Sequence, residues 1–112
     1  MASEFDGVLD EIKDQSVQAA KTQLQDLLQQ AKGDSSAFAR KNAANLEEWI
    51  VELRDGDLDQ DEFNELIEAQ RAAAEQFVNT QAIAGQARAR ELTLTVLDIA
   101  VKKVVPVVIA MI

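Results

Sequence analysis

Any chemistry in this chain would have to come from carboxylates. The 112 residues include no histidine, no cysteine and no tyrosine. The commonest general base, the commonest metal ligand and the thiol nucleophile are therefore missing. Acidic residues crowd the middle of the chain as the pairs Glu47/Glu48, Asp61/Glu62 and Glu65/Glu68 and the run Asp55, Asp57, Asp59, Asp61. Two carboxyls divide acid–base work only when a cleft pushes one of them off its ordinary proton affinity. These pairs fall on the polar faces of amphipathic stretches, where water solvates both. A carboxylate metal cluster in a helical bundle ordinarily includes a Glu-x-x-His pair, which this composition cannot supply. The residues thus read as a protein that is not an enzyme, with no cofactor, no metal and no small-molecule substrate.

One acidic stretch has a spacing close to that of a cation loop. Asp55-Gly56-Asp57-Leu58-Asp59-Gln60-Asp61-Glu62-Phe63 resembles the second half of an EF-hand calcium loop, which places oxygen ligands at alternating positions and closes on a glutamate. Asp55, Asp57, Asp59 and Glu62 would take loop positions five, seven, nine and twelve. Positions one and three then fall on Val51 and Leu53, which carry no oxygen ligand. A register starting at Asp57 offers Asp57, Asp59, Asp61 and Glu68 but puts Glu62 where the sharp turn needs glycine. The same residues make full sense as an acidic turn that starts a helix. Asp59 with Glu62 forms a D-x-x-E capping box, and Leu58 with Phe63 a hydrophobic staple.

The elements around that turn are helical. One proline and four glycines are few breakers for this length, and the composition favours long helices. A first helix is expected over residues 3–32, with Phe5, Val8, Leu9, Ile12, Ser16, Ala20, Leu24, Leu27, Leu28 and Ala31 in one stripe that is weak at Ser16 and Ala20. Gly33 follows it, and Ser35 or Ser36 caps a second helix over residues 36–54. Phe38, Ala39, Ala43, Leu46, Trp49, Ile50 and Leu53 form its apolar face, and the short turn makes the two helices antiparallel neighbours. A third helix over residues 60–104 has no clear stop before Pro106, although Gly85 could bend it and set off a fourth. Pro106 disfavours the α conformation at Val105, so a short tail is expected over residues 105–112. The five aromatics (Phe5, Phe38, Trp49, Phe63, Phe77) are read as core anchors. The fold class is all-α: one domain over residues 1–112, a helical hairpin followed by a long third helix, three-helix bundle-like.

Charge is unevenly distributed. Residues 1–68 hold 17 acids against 6 bases, and residues 69–112 hold 3 against 5. The acidic front repels phosphates, which argues against nucleic-acid binding. The start of the chain lacks the basic and apolar regions of a signal peptide. No uninterrupted apolar run reaches the roughly 20 residues that span a bilayer, so a cytoplasmic protein is expected.

The last third is the most apolar part of the chain, and something must cover it. A continuous helix of 45 residues would be roughly 65–70 Å long and would project beyond the hairpin. Its bare end would be an aggregation patch. Burial against another copy is the simplest remedy. The sequence therefore points to a non-enzymatic structural protein whose partner is itself, a homo-oligomer or filament formed through Leu92, Val96, Ile99, Val104, Val105, Val108, Ile109 and Ile112. The alternative is a peripheral membrane-binding or membrane-inserting helical protein that uses the C-terminal segment, with Arg88, Arg90, Lys102 and Lys103 at the headgroups. A further alternative is an adaptor that buries the same segment in a different protein.

Overall fold

The structure is a computed structural model that describes residues 4–34, 36–77 and 84–111, without the side chains of residues 77 and 84–86. Among the described residues every element is helical: α1 (Glu4–Glu11), a 3-10 turn (Gln15–Val17), α2 (Gln18–Lys32), α3 (Ala37–Asp55), α4 (Gln60–Phe77), α5 (Ala84–Ile99), a π turn (Ala100–Val104) and α6 (Val105–Met111). The helices pack as a bundle measuring 41 × 26 × 26 Å.

The expected first helix is broken in two. Asp14 is extended at φ −64°, ψ 118°. The Ser16 N–H and hydroxyl both donate to its Oδ1, at 2.9 and 2.7 Å. Such a local side-chain bond competes with the helical ladder, and the weak stretch around Ser16 has no large apolar group to outweigh it. Gln18 Nε2 donates to the carbonyls of Ile12 and Asp14, at 3.2 and 3.1 Å, and so satisfies groups that the break exposes. The break lets α1 pack on α3 and bury Phe5, Val8 and Leu9, with Ile12 just beyond its end.

The hairpin turns follow their sequence signals closely. Ser36 caps α3, its Oγ accepting from the Ala39 N–H at 3.4 Å; Ser35 lies outside the described residues. At the far end Gly56 sits at φ 87°, a left-handed conformation that glycine adopts without steric cost. The Asp57 N–H then returns to the Glu52 carbonyl at 2.8 Å. The capping box forms in both directions. The Glu62 N–H donates to Asp59 Oδ1 at 2.7 Å, and the Asp59 N–H donates to Glu62 Oε1 at 3.2 Å. Phe63 is fully buried and Leu58 half-buried against the same cluster.

The long third helix does not exist as one rod. α4 ends at Phe77, α5 begins at Ala84, and the two pack against each other. Residues 78–83 lie outside the described residues, and Gly85, the expected bend, sits in the first turn of α5. The whole bundle is 41 Å in its longest dimension, shorter than the expected rod. The physical reason is burial: reversal lays α5 against α2, α3 and α4 and covers Val96 and Leu97 without a second molecule.

Pro106 does not end the helix. The Val105 N–H bonds to the Ala100 carbonyl, five residues back, in a widened π turn. A proline ring in a regular helix meets the carbonyl four residues before it. A wider turn just ahead loosens that packing, and α6 continues. Val105 is α-helical at φ −59°, ψ −42°, against the usual preference of a pre-proline residue. Residues 105–111 are thus a docked helix, not a loose tail, with Val105 and Val108 in the core.

Candidate interaction surface

The eight residues expected to mediate self-association are placed differently from one another. Val96, Val104, Val105 and Val108 are buried within the chain's own core. Leu92, Ile99 and Ile109 are half-buried and pack against that core. Ile112 lies outside the described residues. Among the described residues the apolar end is largely covered by the chain itself, and no projecting helix end is exposed. Among the described residues the exposed large apolar side chain is Met111.

The acidic turn spends its carboxylates locally. Asp59 and Glu62 cap α4 and each other. Asp55 accepts from Arg54 Nε at 2.7 Å, and Arg54 also pairs with Glu11 of α1. Among the described residues no three acidic side chains are placed to hold a metal ion. Beside the turn, Glu4, Phe5, Glu47, Glu48, Val51, Glu52, Asp55 and Asp57 line an open acidic groove of about 350 Å³. Burial, and then the neighbouring Glu48 and Asp57 charges, push the Glu52 carboxyl above its ordinary value. Glu47 is held by Lys32 at 3.0 Å.

Two ion pairs fix α5 in place. Arg71 of α4 meets Asp98 at 2.8 Å, and Arg88 meets Asp34 of the α2–α3 turn at 3.0 Å. Asp34 also accepts the Ser36 N–H at 2.8 Å. That backbone bond, followed by Arg88, holds its carboxyl below the usual aspartate range.

An open groove with an apolar lining lies between α3 and α4. Phe38, Lys41, Asn42, Asn45 and Trp49 of α3 face Leu66, Ala69, Gln70 and Ala73 of α4 across a groove of about 350 Å³. Phe38, Trp49 and Leu66 are half-buried, whereas Ala69 and Ala73 are exposed. α4 leans more on α5 than on α3, and its small alanines leave the far side open. Phe5 and Phe63 are buried anchors, and the Phe77 side chain lies outside those described. Trp49 is half-buried and packs against the core cluster, whereas Phe38 is half-buried outside it, so for Phe38 the expectation of a core anchor is corrected. The signal lies in the spacing. Phe38, Asn42, Asn45 and Trp49 form their own stripe, about 100° around the helix from Ala39, Ala43, Leu46 and Ile50. Those four are fully or almost fully buried, as a core stripe should be.

Comparison with protein-family models, with curated proteins and with solved structures finds no match for the chain. No helix among the described residues is long and apolar enough to cross a membrane.

Proposed function

We propose that the chain is a non-enzymatic helical module that works by binding another protein through the α3–α4 groove. The observation that carries this reading is Trp49, half-buried beside Phe38 and Leu66 in an open apolar groove. Tryptophan in a partly formed pocket is among the commonest kinds of binding hot spot. α4, one wall of the groove, carries five acids (Asp61, Glu62, Glu65, Glu68, Glu75) against one base, Arg71. The matching partner is an amphipathic helix that offers apolar anchors flanked by lysine or arginine.

Trp49 is the chain's single tryptophan, so its emission reports directly on the groove. Titration with a helical Leu/Lys peptide should shift that emission to the blue, and a Leu/Glu peptide should not. Ala69→Arg, on the exposed wall, should abolish the shift while leaving the fold intact. Emission unchanged by the Leu/Lys peptide, or shifted equally in the Ala69→Arg protein, would overturn the proposal.

Self-association is the second reading. It is favoured by exposed Met111 next to half-buried Val107 and Ile109 on α6. The net charge of −9 works against bringing two copies together. Burial of Val96, Val104, Val105 and Val108 within the chain counts against both a filament and a membrane surface built on those residues. A concentration series in light scattering separates the readings, because a mass that doubles on concentration supports self-association.

A further inference from the structure

Three polar side chains are buried among the described residues: Asn42 at 8% exposure, Gln70 at 6% and Thr93 at 3%. They come from three different helices, α3, α4 and α5. All three line one small, partly open pocket, together with Ala31, Ala39, Ala43, Val96 and Leu97. Chance would scatter three buried polar groups through a core; here they converge on one point.

Their hydrogen bonds are incomplete in a specific way. Gln70 Nε2 donates to the Asn42 carbonyl at 3.1 Å, which ties α4 to α3. Asn42 Nδ2 donates to the Phe38 carbonyl at 2.7 Å. Thr93 Oγ1 is buried with no hydrogen-bond partner among the described residues. An orphaned buried hydroxyl is costly, and native structures rarely leave one unanswered. The pocket measures about 10 Å³, and roughly 10–15 Å³ open to its centre is enough for one water. A buried water needs two to four polar partners, and the hydroxyl and the two side-chain amides supply that number.

We infer that one ordered water binds in this pocket and joins α3, α4 and α5 through Thr93 Oγ1 and the side-chain amides of Gln70 and Asn42. The site ties the register of α5 to the hairpin through Thr93, because sliding α5 by one turn would carry its hydroxyl away from the Asn42 and Gln70 amides and into apolar surroundings. The site shares Asn42 and Gln70 with the lining of the α3–α4 groove, but it does not depend on that groove being a binding surface.

The test combines a crystal structure at better than about 1.5 Å resolution with two variants. Density for a water should lie within hydrogen-bond distance of Thr93 Oγ1 in the parent and in Thr93→Ser, and should vanish in Thr93→Val. The valine variant keeps the shape and removes the hydroxyl, so it should unfold with an equilibrium constant about five-fold larger than the parent's. Absence of the water peak in the parent would overturn the inference. So would a Thr93→Val protein as stable as the parent or more stable, the result expected if the hydroxyl were merely an unpaired group.

Discussion

Val108 offers the sharpest test of where the apolar end is buried. It is fully buried in α6, within the same cluster as Leu46, Ile50 and Phe63. Val108→Ala removes the equivalent of two methylenes, a loss of about 1.6 kcal/mol at ~0.8 kcal/mol for each one buried. Incomplete collapse of the site adds a cavity term, giving a total of about 2–2.5 kcal/mol. For a chain of this length that lowers Tm by about 8–10 °C. Val107, one residue away and half-buried, should lose less than half as much on the same change. Thermal unfolding followed by circular dichroism measures both. The decisive control is concentration. Burial within one chain makes the Val108→Ala shift identical at 2 and at 200 µM (about a hundred-fold span), whereas burial between copies makes it shrink on dilution. A Val108→Ala protein as stable as the parent, or a shift that fades on dilution, would refute the reasoning.

Other expectations follow from the turns and the charges. Gly56→Ala should destabilise by about 1 kcal/mol, because residue 56 is left-handed and a side chain there is strained although it meets no neighbour; denaturant unfolding measures the change. Asp59→Ala should cost about 1 kcal/mol by removing the α4 cap, and a double-mutant cycle with Glu62→Ala should show the two losses to be coupled. Asp14, held low by the Ser16 hydroxyl and N–H, and Asp34, held low by the Ser36 N–H, should titrate below ordinary aspartates in carboxyl NMR. Their folded values lie below the unfolded ones, so the stability they add is present above the unfolded value and is lost as pH falls through the folded one. Glu52 is raised, so the sign reverses: its contribution is present in acid and is lost as pH rises through its folded value.

Much of the fold is legible where local chemistry and the hydrophobic stripe agree. α3 and the start of α4 are bounded by Ser36, Gly56 and the Asp59–Glu62 box, and each of these devices acts within a few residues. The breaks that long-range packing decides are less legible. Asp14 and Ser16 end a helix whose stripe runs past them in sequence, because their side chains satisfy the backbone on the spot. The separation of α4 from α5 is not marked by the glycine that the sequence offers, since Gly85 lies inside α5. What drives it is the gain from burying α5 against three other helices, a sum over contacts that no single residue advertises. Pro106 misleads because a π turn absorbs it, and that remedy depends on Val105 and Val108 being drawn into the core. The groove has a sequence signal in the displaced Phe38–Trp49 stripe. The converging Asn42, Gln70 and Thr93 have none, since they lie on three helices whose registers only the packed bundle sets.

Folding of the apolar last third back into its own bundle can be checked by small-angle X-ray scattering in line with size exclusion, which gives mass and shape together. The expected result is a single-chain mass of 12.3 kDa with a radius of gyration close to the 13.8 Å of the Cα trace, matching the roughly 13 Å of a compact chain this long. A maximum dimension near that of a straight third helix, roughly 65–70 Å, or a multiple of the single-chain mass at the lowest concentration, would contradict it.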